Sequence, residues 1–385
     1  MSPPRRTGDY VISSISGERV KAFVPKALPP KPPVRLDDTL SARFDEALAA
    51  VSKLDAAANL LPSAQVLLYS FIRKEAVVSS EIEGTQSSLA DLLLWELEEA
   101  PGVPLDDVEE VSRYVKAFEH GINRVRGGFP LSSRLFREIH AELMTQASGA
   151  KAPGEFRRTQ NWIGGTRPGN AHFVPPPPDR VAACMSALEA FLHNKQHRTP
   201  PLLKAALAHV QFETIHPFLD GNGRVGRLLT TLILCVENVL GEPLLYLSLY
   251  FRQHRAEYYR RLDRVRTDGD WEGWCEFFAD GIVETSTSAL GAARKLTALF
   301  DEDRAKITAL GARQAPSALA VHEALQRRPL ASVSHLVSAA NLSFPTVGDT
   351  LRRLEQLGIV REITGRKRDR VFAYDKYMRT LNEGV

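Results

Sequence analysis

The sequence is poor in cysteine and has almost no excess of either charge. Three cysteines occur in 385 residues, and no CxxC or paired Cys/His spacing accompanies them. This argues against a disulfide framework and against a structural zinc site. There are 49 Lys and Arg residues and 46 Asp and Glu residues, so the formal net charge is +3. No dominant field for nucleic acid or membranes is therefore expected, although a local basic patch is compatible with this balance.

Long apolar runs are also missing. The most apolar stretch, residues 228–236, is too short to span a bilayer, and residues 1–10 lack the apolar run of a signal peptide. The composition, 44% hydrophobic and 25% charged, is that of a globular protein. The length predicts two or three domains. We expect a cytoplasmic protein with reduced thiols and no membrane contact.

Proline and glycine divide a chain that is otherwise helical in pattern. Five prolines between residues 25 and 33 predict that residues 1–36 form an extended arm. Apolar residues at helical spacing predict helices over most of residues 37–146 and 179–310. Residues 147–180 are rich in Gly and Pro, and a turn there lies between two short apolar pairs. This segment predicts one short β-hairpin, so the expected class is mainly α.

The last 75 residues have a different pattern. Three helices between residues 317 and 358, followed by two strands between residues 359 and 374, predict a small winged helix-turn-helix domain over residues 310–385. Basic side chains crowd its third helix and its wing: Arg352, Arg353, Arg361, Arg366, Lys367, Arg368 and Arg370. They suit phosphate contacts on duplex DNA. The alternative is a protein-interaction module with a solvated basic loop, since Glu355, Glu362 and Asp369 dilute the patch.

Residues 216–227, which read HPFLDGNGRVGR, have the parts of a phosphate site. Gly221, Asn222 and Gly223 can turn successive backbone N–H groups toward one anion. An apolar helix follows, so the loop lies at a helix N-terminus, where negative charge is favoured. Arg224 and Arg227 are three residues apart and can face the same ligand.

The same segment contains a candidate base and a candidate metal ligand. His216 has an ordinary pKa near neutrality and can accept a proton from an attacking hydroxyl. Asp220 is a hard oxygen ligand suited to Mg²⁺ that bridges phosphates. The alternative is a tight loop with a buried histidine and solvated arginines. That alternative is reasonable for each residue alone, but it does not explain why all of them occur together.

This segment resembles the signature of the Fic family, H-x-F-x-D/E-G-N-G-R-x-x-R, at every fixed position. The resemblance implies a helical core with a β-hairpin flap and transfer of AMP from ATP to a Ser, Thr or Tyr hydroxyl of a target protein. It implies that His216 is the base and that Phe218 is a hydrophobic anchor of the loop. It further implies that Asp220 holds Mg²⁺, that Gly221, Asn222 and Gly223 bind the α- and β-phosphates, and that Arg224 and Arg227 bind the distal phosphates.

Residues 154–178 resemble the flap region of the same family. The flap would hold an extended target segment by main-chain pairing, so that its hydroxyl is fixed near the α-phosphate. The candidate target-positioning residues are Ile163, Gly164, Gly165, Phe173 and Val174. For the individual side chains, a purely structural hairpin is the alternative to direct contact with the target.

Residues 79–84 resemble the inhibitory motif of the family, S/T-x-x-x-E-G/N. Ser79 and Glu83 are four residues apart and share a helix face, and Gly84 suits the end of that helix. The resemblance implies that Glu83 reaches Arg227 and disfavours the productive position of the γ-phosphate. The alternative is that Glu83 is an ordinary surface residue of the last helical turn.

The resemblance covers about residues 8–300, and together with the winged-helix pattern it predicts three regions: an N-terminal region with the inhibitory helix (1–110), a catalytic core with a helical extension (111–305) and the winged helix (310–385). ATP and Mg²⁺ are the expected substrate and cofactor, and a homodimer is a further hypothesis. Two rival interpretations are a DNA-binding regulator that senses a nucleotide, and an enzyme that transfers or removes another nucleotide group.

Overall fold

The chain is described by a computed structural model over residues 5–15, 17–60, 64–97, 104–145, 152–194, 198–366 and 368–383. Helices occupy most of these ranges, so the predicted mainly α class is confirmed. The elements before residue 310 are β1 (Gly8–Ile15), β2 (Glu18–Pro25), α1 (Asp38–Leu60), α2 (Ala64–Glu83), α3 (Leu89–Trp95), α4 (Leu105–Arg126), α5 (Ser133–Met144), α6 (Pro178–Leu192), α7 (Pro201–Ile215), α8 (Asn222–Val236), α9 (Ser248–Gln253), α10 (Arg255–Asp268) and α11 (Trp271–Thr308).

Helix ends follow the expected capping signals. Asp37 Oδ1 accepts a hydrogen bond from the Leu40 N–H at 3.0 Å and caps α1. Ser88 caps α3 and forms a reciprocal capping box with Asp91. Gly84 has a φ of +111°, a backbone region that favours glycine, and it ends α2 directly after Glu83.

The centre of the fold is the packed pair α7 and α8, which residues 216–221 join. Every residue of α7 from Leu202 to Ile215 is buried. Helices α4 and α5 pack on α8, and α6 and α11 pack on α7. Trp274 Nε1 of α11 donates to the Ala206 carbonyl at 2.9 Å. Because both helices are surrounded by others, the loop between them is held firmly at both ends.

The N-terminal segment is a β-hairpin, so the prediction of an extended arm over residues 1–36 is wrong for residues 8–25. Strands β1 and β2 pair antiparallel from Gly8 opposite Pro25 to Ile15 opposite Glu18. Alternating apolar residues and Gly17, whose φ is +83°, carry this signal in the sequence. The prolines after residue 25 favoured the prediction of an extended arm, although they restrict the backbone only of the segment that follows the hairpin.

The C-terminal region contains α12 (Ala315–Arg327), β3 (Leu330–Ser332), α13 (Val333–Ala340), α14 (Phe344–Gln356), β4 (Arg361–Glu362), β5 (Val371–Ala373) and α15 (Asp375–Asn382). The sheet order is β3-β5-β4. This arrangement is consistent with the predicted winged helix-turn-helix, although both wing strands are shorter than expected. Lys367 of the predicted basic wing lies outside the described residues.

Helix α2 lies between the α7–α8 core and the C-terminal region. It packs on α4, α8 and α9, and also on α12. The Ser70 and Tyr377 hydroxyls are 2.9 Å apart in a buried hydrogen bond between α2 and α15. The helix that ends at Glu83 is therefore supported on both sides.

The expected region boundaries do not coincide with breaks in packing. The boundary after residue 110 falls within α4, and the boundary after residue 305 falls near the end of α11. One hydrophobic core runs from Leu40 to Leu381 through all three regions. None of the helices in the described ranges combines the length and the apolar composition needed to cross a membrane.

Candidate active site

The loop between α7 and α8 is shaped by two left-handed residues and one bridging side chain. His216 has φ +49° and ψ +61°, and Gly221 has φ +72°. Asn222 closes the loop: its Oδ1 accepts from the Phe218 N–H at 2.8 Å, and its Nδ2 donates to the Phe218 carbonyl at 2.9 Å. The loop is therefore a fixed turn that leads directly into the first turn of α8, where backbone N–H groups lack intrahelical partners.

Phe218, the expected anchor of the loop, is fully buried. Its ring stacks on the ring of His140, with centroids 3.8 Å apart and an interplanar angle of 3°. His140 Nδ1 accepts from the Gly154 N–H at 2.8 Å, so its Nε2 carries the proton and donates to the Asp220 carbonyl at 3.1 Å. Burial lowers the pKa of His140 to about 4. This neutral histidine ties the phosphate loop to α5.

Arg157 holds the backbone at the candidate base. Its side chain is buried, and its Nε donates to the His216 carbonyl at 2.9 Å. Its guanidinium also donates to the Pro176 carbonyl, and its backbone N–H donates to the Pro217 carbonyl at 2.9 Å. One arginine therefore connects the catalytic loop with the segment that follows the flap.

His216 is partly buried between cationic groups. Burial lowers the pKa of its imidazole to about 4, and the charges of Arg157 and Arg266 act in the same direction. The imidazole is therefore neutral at pH 7, which is the form that can accept a proton from a hydroxyl.

The candidate phosphate arginine Arg227 is occupied by α2. Its Nε donates to Ser79 Oγ at 2.9 Å, and its Nη2 donates to the Ser79 carbonyl at 2.8 Å and to Glu83 Oε1 at 2.7 Å. Burial is the largest single effect and opposes ionisation of Glu83, but the charge and the hydrogen bond of Arg227, together with the charge of Arg224, keep the pKa of Glu83 below its usual value. The structure therefore brings the predicted inhibitory residues Ser79 and Glu83 together with Arg227, which is buried, whereas the Glu83 side chain is 34% exposed.

The Glu83 carboxylate also lies over the first turn of α8. A β-carbon at Gly223 would overlap Glu83 Oε1, so only glycine leaves room for this approach. The start of α8 is where backbone N–H groups favour an anion. The Glu83 carboxylate therefore lies at the position where the helix N-terminus would favour a phosphate.

Arg224 and Asp220 lie on the other side of the loop. Arg224 Nη1 donates to Glu110 Oε1 of α4 at 2.6 Å. The side chain of Asp220 is 74% exposed, and its Oδ1 accepts from the Gly221 N–H at 2.6 Å. No group of three His, Cys, Asp or Glu side chains forms a metal site in the part of the chain that the structure describes. A single carboxylate beside an anion loop fits Mg²⁺, which commonly takes its other ligands from phosphates and water.

The flap contains the predicted antiparallel pairing, but the pairing is a single bridge rather than a regular β-hairpin. Ile163 and Phe173 form one antiparallel bridge, with N–H to carbonyl distances of 2.8 and 3.1 Å. Gly164 and Gly165 are exposed and have φ values of +68° and +73°. Phe173 and Val174 are buried. Gly164 and Gly165 are therefore more accessible to a target than the side chains of Phe173 and Val174.

The N-terminal hairpin packs against the second strand of the flap and supports it. The Phe23 N–H of β2 donates to the Val174 carbonyl at 2.9 Å. Val174 packs in a small apolar cluster with Ile15, Val20 and Ala22. This explains why Phe173 and Val174 are buried rather than open to a target.

Four residues near the site were not assigned roles by sequence reasoning: His140, Arg157, Glu110 and Glu213. Arg157 belongs to the stretch that resembles the flap region, whereas His140 and Glu110 have no local signal. Glu213 is one helical turn before His216, and its Oε1 is buried without a hydrogen-bond partner among the described residues. Burial raises the pKa of Glu213 to about 7, so a second carboxyl group lies close to Arg227 without a strong charge partner.

Fold and site together define a helical protein in which a tight glycine-containing loop leads into α8 and a carboxylate of α2 reaches the start of that helix. Residues 130–234 match the model of the Fic/DOC family, and residues 41–123 match the model of the Fic/DOC family N-terminal region. The chain therefore contains a Fic/DOC domain that is preceded by the N-terminal region of this family.

Similar proteins and structures agree with this assignment. The chain is 35% identical over 149 residues to protein adenylyltransferase Fic of Drosophila grimshawi, covering 38% of this chain and 28% of that protein. It is 35% identical over 161 residues to the protein of the same name of Culex quinquefasciatus, covering 42% and 29%. The match thus covers less than a third of these curated relatives.

Two solved structures share the fold. A Fic family protein from Desulfovibrio desulfuricans G20 has a TM-score of 0.59 at 21% identity, over 89% of this chain and 97% of that chain. Fic-1 from C. elegans (residues 134–508 of that protein) has a TM-score of 0.51 at 23% identity, over 67% and 74%.

We predict that His216 does not titrate near its ordinary pKa. Its neutral form should persist from pH 8 to about pH 5, because burial and two nearby arginines lower the pKa to about 4. The native state then binds fewer protons than the unfolded state between these pKa values, so this group's contribution to stability is lost as the pH falls through that range. NMR titration of the imidazole checks this, with the resonance assigned by its loss in His216→Ala. A midpoint near 6.5 would contradict the prediction.

Proposed function

We propose that the chain is a protein adenylyltransferase that moves AMP from ATP to a Ser, Thr or Tyr hydroxyl of a target protein and of itself, and that Glu83 holds it inactive. The observation that carries the proposal is the placement of His216, an anion loop and two arginines around one helix N-terminus, with Glu83 bound to Arg227 there. The names of the curated relatives support the reaction class.

In this proposal the reaction is an in-line displacement at the α-phosphorus. The target hydroxyl oxygen attacks phosphorus while its proton passes to the neutral His216 imidazole. The bond between the α-phosphorus and the oxygen that bridges to the β-phosphate breaks, and pyrophosphate leaves. The N–H groups around Gly221 and Gly223 stabilise the developing charge, and Arg224 and Arg227 hold the distal phosphates.

Asp220 would hold Mg²⁺ in this reaction. The metal would neutralise phosphate charge when bound. The Asp220 carboxylate is 74% exposed and therefore accessible to a metal ion; its Oδ1 accepts from the Gly221 N–H and lies 3.9 Å from Arg224 Nη2. A cytoplasmic location, where ATP and Mg²⁺ are abundant, and a homodimer both belong to this proposal.

The flap would position the target. Exposed backbone at Gly164 and Gly165 leaves an edge on which an extended segment can pair. Ile163 sits at the bridge that sets the direction of this edge. Phe173 and Val174 would act indirectly, by fixing the flap on the N-terminal hairpin.

Inhibition follows from competition for one cation. The contacts described for the Arg227 guanidinium go to Ser79 and Glu83 on α2. A γ-phosphate would have to displace the Glu83 carboxylate or accept its repulsion. ATP could still enter, but its triphosphate would not reach the position needed for in-line transfer.

We predict that Glu83→Gly raises AMP incorporation at least about tenfold, because the freed arginine gains a charge-assisted contact worth about 1.5–3 kcal/mol. Transfer from α-labelled ATP, with mass spectrometry of the modified protein, measures the rate, the transferred mass and the modified residue. Glu81→Gly is the matched control, since Glu81 lies on the same helix and pairs with Arg252 instead.

The base is tested in the same background. Adding His216→Ala to the Glu83→Gly protein should lower transfer by about 10²–10⁴-fold and leave ATP binding mostly intact. Incorporation that does not rise in folded Glu83→Gly protein would rule out autoinhibition by Glu83.

The same assay separates the alternatives. A nucleotide-sensing regulator would retain labelled ATP reversibly and transfer nothing, and the presence of a base in the loop argues against it. A transferred mass other than AMP would indicate another nucleotide group. Glu83 could also orient a water molecule for removal of AMP, in which case the Glu83→Gly protein should lose removal activity.

The C-terminal region carries two hypotheses about partners, DNA and protein. Its basic patch is partly neutralised: Arg361 pairs with Asp375 at 2.6 Å, and Arg352 pairs with Asp349. Phe344, at the start of α14, is 58% exposed. An exposed aromatic side chain here suits contact with a protein partner as well as contact with a DNA groove.

A salt titration of the full chain with labelled duplex distinguishes them. DNA contact predicts affinity that falls steeply with salt, by about 10³–10⁵-fold from 50 to 200 mM for six to ten phosphate contacts. The slope should become shallower when Arg368 and Arg370 are both replaced with Ala. Absence of binding at low salt would contradict DNA contact and favour the protein-interaction hypothesis.

A further inference from the structure

Arg224 has a carboxylate partner that lies far outside the phosphate loop in sequence. Its Nη1 donates to Glu110 Oε1 at 2.6 Å, across a separation of 114 residues. The Arg224 side chain is 6% exposed and that of Glu110 is 31% exposed. Glu110 lies on α4, so it contacts the arginine from outside the loop while remaining open to solvent at the mouth of the site.

The same carboxylate oxygen binds the segment that follows the inhibitory helix. Thr85 Oγ1 donates to Glu110 Oε1 at 3.1 Å. The next residue, Gln86, donates its backbone N–H to Asp107 Oδ2 at 2.9 Å. Residues 85–86 are therefore attached to the start of α4 by two carboxylates, and one of them is shared with Arg224.

The two arginines of the loop differ in which donors are engaged. In Arg227 both Nε and Nη2 are bound to Ser79 and Glu83. In Arg224 the carboxylate contact uses Nη1 alone. Its Nε is buried and has no hydrogen-bond partner among the residues described, and its Nη2 is 3.9 Å from Asp220 Oδ1. The Nε–Nη2 edge is the edge of a guanidinium that binds phosphate in a bidentate manner.

We propose that Glu110 is a positioning residue for Arg224 and that it links this arginine to the turn after the inhibitory helix. In this role Glu110 holds Nη1 and leaves the Nε–Nη2 edge for a nucleotide phosphate. Through Thr85 it also fixes the chain directly after Glu83 and Gly84. The second part rests on the proposed function, whereas the first concerns phosphate binding alone.

The physical reason is preorganisation. A buried guanidinium needs a counter-charge when no ligand is present, and without one it would turn toward solvent or another carboxylate. A fixed arginine does not have to be ordered when phosphate arrives, so less binding energy is lost. Glu110 supplies this charge from the side away from Asp220. Glu83 acts differently, because it engages the arginine edge that a phosphate requires.

The first test is the affinity for ATP, measured by calorimetry in the Glu83→Gly background without a transfer assay. Glu110→Ala should weaken binding about tenfold, the equivalent of one lost charge-assisted contact, and Glu110→Gln should be intermediate. The matched control is Glu109→Ala, which removes a neighbouring carboxylate that pairs with Arg113 on the same helix. Equal or tighter binding in folded Glu110→Ala protein would overturn the positioning role and identify Glu110 as a competitor of phosphate.

A kinetic split separates positioning from a general loss of structure. Glu110→Ala should raise KM for ATP about tenfold and change kcat by less than about threefold. A fall in kcat with unchanged KM would overturn the assignment. If Glu83→Gly transfers nothing but Glu110→Ala still weakens ATP binding, the proposed function fails and the phosphate role of Glu110 stands.

The link to the inhibitory segment has its own test. Thr85→Val removes the hydroxyl that shares Glu110 Oε1 and keeps the shape of the side chain. In the otherwise wild-type protein it should raise AMP incorporation about two- to fivefold, since one hydrogen bond of about 0.5–1.5 kcal/mol is lost from the inhibited state. In the Glu83→Gly background it should change nothing. The same increase in both backgrounds, or no increase in either, would overturn the link.

Discussion

The rest of the structure depends on how one buried guanidinium is neutralised. Arg227 is 3% exposed, and its described hydrogen bonds go to Ser79 and Glu83 of α2. A charge so placed must have a partner at all times, because an unpaired buried ion is strongly unfavourable. Arg227 lies in the second turn of α8, whose N-terminus is the candidate anion site. It can serve the carboxylate or a phosphate, and the competition between them is the proposed control of the enzyme.

The packing around the loop fixes the groups for which the Glu83 carboxylate and a phosphate would compete. Helix α7 is buried along its length and fixes one end of the loop, while His140 and Arg157 hold its backbone from two other elements. These contacts hold the loop backbone in place next to Glu83 and Arg227. Helix α2 lies between α8 and the C-terminal region, so Glu83 is delivered from a supported helix. Glycine at position 223 removes the side chain that would block it.

Features that depend on residues close together in the sequence could be predicted, whereas contacts between residues far apart in the sequence could not. The spacing of residues 216–227 predicted the loop, and the spacing of Ser79 and Glu83 predicted a shared helix face. That this face lies near Arg227 was implied by the family resemblance. Capping residues set the ends of α1 and α3 because their hydrogen bonds span three residues. Glu110 and Arg224 are 114 residues apart, and their contact depends on how α4 packs on α8. The N-terminal hairpin was missed because nearby prolines favoured an extended arm.

The central claim is that Glu83 denies Arg227 to the γ-phosphate, and the most direct measurement compares the affinities for ATP and ADP. Calorimetry on the wild-type protein should give two nearly equal dissociation constants, because the extra phosphate finds its arginine occupied. In the Glu83→Gly protein, ATP should bind about tenfold more tightly than ADP, as expected for a gained charge-assisted contact. The same ratio of ATP to ADP affinity in both proteins would contradict the account.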